Sequence, residues 1–282
     1  MKTEELIRDI NNASKSSCEV ELKSHFLLGN TNEFDNFKPN LVSLEFCSDF
    51  EAFKVACCHY VGYEVQKENE EEAFRIWKKL SDKGESNSLL EYSVVLFSRG
   101  EIKEGFSCLL KASKAGNNTA IFRIALCYLH GIYVAKDDEK GSKLMQLLAK
   151  KNHPDALYFM SILHSVGTDS VPKDEQKSKE YLLKSVKLGS KFGQTEYGFS
   201  TFISSSDVDE KKKALALIQE SADIGDPRAQ TILAIIYAQG ELGVVKRDEE
   251  TSKMNLALAY DTGYLPAVKI VKELKNSSNS NN

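Results

Sequence analysis

AIFRIALCYLHGIYVAKDDEKGSKLMQLLAKKNHPDA, residues 120–156, is the stretch that decides the fold. It runs from one small residue, Ala120, to another at Ala156, and it carries the punctuation of two helices. Ala120, Ile124, Ala125 and Tyr128 share one stripe at helical spacing. Gly131 closes that first helix, and Asp137-Asp138-Glu139 opens a second, with carboxylates where the helix dipole favours them. The second helix carries Gly141 and, four residues on, Met145; Asn152 stands where a helix-ending glycine is expected.

The same punctuation returns along the chain. Helix-ending glycines stand at Gly84, Gly116, Gly189, Gly225 and Gly263, with Asn152 in the remaining slot, at spacings of 32, 36, 37, 36 and 38 residues. Four residues after each comes a small side chain: Ser88, Ala120, Ala156, Gly193, Ala229 and Ala267. Eleven residues before each comes another: Ala73, Gly105, Gly141, Ser178, Ala214 and Ser252. Three phased small positions over six cycles signify stacked repeats rather than one central core. Six antiparallel helix pairs are expected at about 51–83, 88–115, 120–151, 156–188, 193–224 and 229–262, then a capping helix at 266–275 and a disordered tail at 276–282. Small residues at the helix crossings let neighbouring axes approach. Residues 1–50 do not fit the period, yet Phe26, Leu27, Phe34, Phe37, Leu41, Val42, Leu44 and Phe46 are too apolar for a solvated tail, so an N-terminal cap or decayed repeat is expected.

The pattern resembles the Sel-one-like repeat, a tetratricopeptide-type unit reading A-x3-L-G-x2-Y-x2-G-x-G-V, then K-D, then A-x6–7-A-A-x2-G-x3-A. Ala120, Ala125, Tyr128, Gly131, Val134, Lys136, Asp137 and Asp155-Ala156 fit it, as do Ala229, Leu233, Ala234, Tyr237, Gly240, Val244, Lys246, Asp248 and Gly263. The resemblance spans about residues 51–270 and implies an all-α, right-handed solenoid. The second unit, 88–119, lacks the Gly-Val-x-Lys-Asp insertion, and the fifth has Thr201 and Ser204 in place of its Tyr and Gly.

Charge and composition narrow the function classes. Net charge is −4, and residues 1–50, with 5 basic and 9 acidic side chains, account for it. The remaining 232 residues hold 32 of each sign, which offers no basic footprint for nucleic acid and no polybasic stretch for an anionic membrane. No apolar run approaches the roughly 20 residues of a membrane helix. Met1 to Asn12 lacks the apolar centre of a secretory signal, so a cytoplasmic location is expected. Cys18, Cys47, Cys57, Cys58, Cys108 and Cys127 do not recur with the repeat and read as reduced thiols. His59 beside Cys57 and Cys58 cannot converge with them on one ion from adjacent helical places; His59 and His164 sit at the family's Tyr position and read as packing. No phosphate-binding glycine loop, nucleophile elbow or recurring carboxylate pair is present, so no metal, cofactor or catalytic residue is expected.

The resemblance implies one candidate site, a protein-binding groove on the inner face of the first helices. Transferred by register, it comprises Phe53, Tyr60, Leu90, Phe97, Phe122, Leu126, Leu129, Tyr158, Ile162, Phe199, Phe202 and Ile235, with Cys57, Val94 and Thr231 among them. Three readings stand open: tight curvature buries these residues, a peptide occupies them, or residues 19–50 fold back over them. The function expected is a non-catalytic protein-interaction scaffold. Alternatives are an immunity protein neutralising a toxin, a bacterial effector acting on host proteins and, weakest, a hydrolase.

Overall fold

A computed structural model describes residues 48–61 and 69–279. The expected N-terminal cap, including Cys18 and Cys47, lies outside the described residues. Among the described residues there are thirteen helices and no strand longer than an isolated bridge. They fall into two compact units that divide after Leu144.

In the first unit, α1 (Asp49–Val61), α2 (Glu70–Asp82), α3 (Ser86–Ser98), α4 (Ile102–Lys114) and α5 (Asn118–His130) follow one another, and the start of α6 (Asp138–Lys150) completes it. Each of α1 to α4 packs on the next. The second unit takes up the rest of α6 and holds α7 (Pro154–Val166), α8 (Glu175–Lys187), α9 (Lys191–Ser204), α10 (Val208–Asp223), α11 (Pro227–Gln239), α12 (Glu249–Asp261) and α13 (Leu265–Asn279). From α7 onward consecutive helices pack, and the first helices α7, α9, α11 and α13 also touch in series. Short turns between packed neighbours make each pair an antiparallel hairpin. The expected turn residues all have positive φ: Gly84, Gly116, Gly189, Gly225, Gly263 and, at 59°, Asn152. Helix α13 runs to Asn279, past the expected end at Lys275; Lys272, Glu273, Leu274 and Lys275 are good helix formers and carry it on.

The hairpins close on small residues. The eighth place of each first helix is Ala56, Ser93, Ala125, Ser161, Gly198 or Ala234, and all six are buried. The facing residues of the second helices are the small ones of the repeat. A Cβ added to Gly105 would sit 3.1 Å from the Ser93 carbonyl oxygen, and one added to Gly198 would sit 2.8 Å from that of Ala214. The Ser252 hydroxyl donates to the Ala234 carbonyl at 2.7 Å. Backbone therefore meets backbone at the crossing, which only a Cβ-sized or missing side chain permits.

Where the loop between the two helices is long, a single device pins it. The backbone N–H of Asn69, Asp137, Asp174 and Asp248 donates to the carbonyl of His59, Tyr128, His164 and Tyr237, the eleventh place of each first helix, at 2.8 to 2.9 Å. The same Asp137, Asp174 and Asp248 cap the following helices by accepting from Lys140, Lys177 and Thr251 N–H groups. Hydrogen bonds from lysine or threonine side chains and from these amides hold all three carboxyls below the ordinary aspartate range.

Two outcomes follow from this packing. Gly198→Ala, which stabilises an exposed helix by about 1 kcal/mol, is expected to destabilise this protein, and Ala214→Leu to cost about 1–3 kcal/mol by overpacking; urea-unfolding midpoints measure both. The three caps give the acid limb its sign. Carboxyls held low stabilise the fold above the unfolded aspartate value, and that stability is lost as pH falls through their folded values. The triple variant Asp137→Asn, Asp174→Asn, Asp248→Asn is expected to lose stability at neutral pH and to show a shallower decline below about pH 4, read by thermal unfolding across pH.

Candidate functional site

The twelve expected groove residues occupy the fifth, ninth and twelfth places of the first helices, and the structure builds them into the core. Phe53, Leu90, Phe97, Phe122, Leu126, Leu129, Tyr158, Phe199 and Phe202 are buried; Tyr60, Ile162 and Ile235 are half-buried. Phe53 packs with Ala73, Ile76 and Trp77, and Tyr60 lies against the same cluster. Leu90 and Phe97 join Leu109, Ala112, Ala120 and Ile124. Phe199 and Phe202 join Ala214, Ile218 and Leu233, with Ile235 alongside. Leu129 fills the space above Gly141. No open apolar groove made of these side chains exists among the described residues. The close small-residue crossings bring the helices near enough for these places to fill the space between them.

The first unit has a pocket of about 280 Å3 beside the starts of α3 and α5. Leu90 lines it, and so do Ser86, Asn87, Ala115, Gly116, Asn117, Asn118 and Thr119. Its frame is a set of caps. Glu85 accepts from the Asn87 and Ser88 N–H groups at the start of α3. Asn117 Oδ1 accepts from Ala120 N–H at the start of α5, while its Nδ2 donates to Asn87 Oδ1 at 3.1 Å, tying the two turns. No ionisable side chain lines the pocket, so it offers neutral donors and acceptors around an apolar floor. Such a surface can hold main-chain amides and small side chains; it has no group to move a proton. Leu90 alone of the twelve expected residues lines it. The amides were legible only as turn residues: Asn87 and Asn117 stand 30 positions apart and meet only when the turns stack.

The second unit carries a buried polar ladder that the repeat pattern did not announce. Arg228 on α11 donates from Nη2 to Glu196 on α9 at 2.6 Å and from Nη1 to the Tyr158 hydroxyl on α7 at 3.2 Å. Asp226, the cap of α11, is fully buried and accepts from the Thr195 hydroxyl at 2.6 Å and from the Arg228 N–H at 3.0 Å. Burial raises the Asp226 carboxyl and pushes the Tyr158 phenol up to about 12. Burial opposes the Arg228 charge, but Tyr158 and Glu196 outweigh it and hold the guanidinium protonated. Tyr158 also stacks on Phe192, with ring centroids 5.8 Å apart. In the first unit Glu91 and Arg123 are equally buried. The signal available in sequence was a charge at the sixth place of a first helix, as at Glu91, Arg123 and Glu196.

The four described thiols are shielded rather than poised for reaction. Cys57, Cys58 and Cys127 are buried and unbridged, and Cys108 is half-buried. Burial raises Cys57 and Cys108 and pushes Cys127 up to about 12, which keeps them as thiols. Among the described residues no group of three or more His, Cys, Asp or Glu side chains is placed to hold a metal ion, and no helix is long and apolar enough to cross a membrane.

Comparison with known proteins adds relatives to this geometry. The family model of the Sel1 repeat matches residues 52–85, 119–153, 154–190 and 227–265. The chitin synthase regulator SKT5 of Saccharomyces cerevisiae is 27% identical over 181 residues, covering 60% of this chain and 26% of that protein. Protein SHC1 of the same yeast is 25% identical over 189 residues, covering 63% of this chain and 36% of that protein. The chain thus spans about a quarter to a third of the length of these curated relatives. Among solved structures, a Sel1 repeat protein from Oxalobacter formigenes is similar with a TM-score of 0.50 at 25% identity, covering 82% of this chain and 66% of that one.

The ladder generates a stability prediction. Glu196→Ala takes the carboxylate partner from a largely buried guanidinium and is expected to cost about 1–3 kcal/mol, whereas Tyr158→Phe, which removes one neutral acceptor, is expected to cost about 0.5–1.5 kcal/mol. Urea denaturation of both variants checks the order.

Proposed function

The chain belongs to the Sel1 repeat family, and from that premise we propose that it is a non-catalytic scaffold that binds a protein partner through the uncharged pocket between α3 and α5. The observation that carries this reading is the pocket itself: a cavity of about 280 Å3 with a leucine floor and amide and hydroxyl walls, beside two helix starts. Main-chain amides of an extended segment match those walls, and Leu90 offers a seat for one small apolar side chain. The scaffold reading draws further support from repeat architecture, in which stacked units present an extended surface and each unit stabilises its neighbours. The name of the yeast relative SKT5 describes a regulator of an enzyme. We extend that role here as binding a partner and altering its activity or placement, without chemistry of the scaffold's own.

Asn118 is exposed at the pocket rim, so an arginine there fills the pocket without entering the core. Affinity capture with the full chain, followed by calorimetry with the purified captured protein, tests the proposal. Asn118→Arg, folded by circular dichroism, is expected to weaken that complex by at least roughly tenfold, about 1.4 kcal/mol. Unchanged affinity moves the binding surface away from the pocket.

A further inference from the structure

We propose that His153 makes the start of α7 a pH-sensitive joint. The caps of the first helices α3, α5, α9 and α11 are Glu85, Asn117, Ser190 and Asp226, each accepting through a side-chain oxygen. At α7 the acceptor is an imidazole nitrogen: His153 Nδ1 takes the N–H of Ala156 at 3.4 Å. That role fixes the neutral ring with its proton on Nε2. Protonation at Nδ1 turns the acceptor into a donor facing an N–H group, so the cap is lost. It also places a positive charge at the positive end of the helix dipole. The amide and hydroxyl caps Asn117 and Ser190 suffer neither change between pH 5.5 and 7.5, because they do not titrate.

Lys150 and Lys151 stand at the end of α6, Lys184 and Lys187 in the last turn of α8 and Lys191 at the start of α9. Asp155 is the acidic residue in the first turn of α7, and it already accepts the Ser190 hydroxyl at 2.7 Å. His164 lies at the far end of α7, where it stacks on Tyr181 with its Nδ1 3.1 Å from the Pro172 carbonyl oxygen. The first turn of α7 leads directly to Tyr158, so opening the joint frees one end of the Arg228 ladder. The joint is independent of where a partner binds.

Hydrogen exchange of the full chain between pH 7.5 and 5.5, corrected for the intrinsic pH dependence of exchange, tests this. In wild type the amides of residues 155–158 are expected to lose roughly five- to tenfold in protection on acidification, the combined weight of a lost cap and an opposed dipole. His153→Asn keeps an oxygen cap and is expected to abolish that loss, while any contribution from His164 persists in it. Asn117→His is expected to carry the same acid-induced loss to the first turn of α5. No change in wild type overturns the proposal, as does an equal change in His153→Asn or a flat response at α5 in Asn117→His.

Discussion

The fold depends on how closely two backbones approach at the middle of each hairpin. At that point a first helix offers Ala56, Ser93, Ala125, Ser161, Gly198 or Ala234, and a second helix offers alanine, glycine or serine from the repeat. Larger side chains there would push the helices apart and uncover the places that flank the crossing. Because the crossing is close, Phe53, Phe97, Phe122 and Phe199 fill the space around it and become core. The same feature that makes the repeat detectable thereby packs these aromatic residues into the core. Helix α13 departs from the rule, with an exposed Lys272 at the eighth place, where no second helix of the described chain packs.

Polar groups then fix what apolar burial leaves free. The long loops are tied by an Asp, or by Asn69, donating to the eleventh carbonyl of the preceding helix, so loop length varies from Gly131–Asp137 to Gly240–Asp248 without altering the closure. In the second unit Arg228 links three successive first helices through Glu196 and Tyr158. An ion pair between the largely buried Arg228 and the part-exposed Glu196 adds little net stability, since desolvation of the guanidinium offsets attraction. Its geometry is directional, however, and it resists rotation of α11 against α7 in a way that aliphatic contacts do not. In the first unit the starts of α3 and α5 meet instead through Asn87 and Asn117, and the space beside them remains open.

Much of this was legible in the residues. Gly84, Gly116, Asn152, Gly189, Gly225 and Gly263 announced the turns, and each has the left-handed backbone that its place demands. The hairpins and their closing aspartates could be read because they depend on short-range spacing. The site was less legible. The inner-face register located Leu90 and Phe122 correctly on their helices, but spacing along a helix does not report the distance to the next one, and that distance decides burial. The pocket and the ladder depend on side chains 30 to 70 residues apart meeting at one place. Their residue types are ordinary, so no local pattern marks them.

For function, the consequence is a change of surface. A scaffold built on an aromatic inner groove would bind through greasy anchors; the one proposed here would bind through amides and hydroxyls near helix starts, while its aromatics pack the stack. Hydroxyl-radical footprinting of the native full chain tests this central claim most directly. Phe50, 54% exposed, serves as the reactive reference, and Trp77, fully buried, as the protected one. The account predicts that Phe122 and Phe199 are protected like Trp77. If they are modified as readily as Phe50, the inner face is open, and the burial on which this account rests is contradicted.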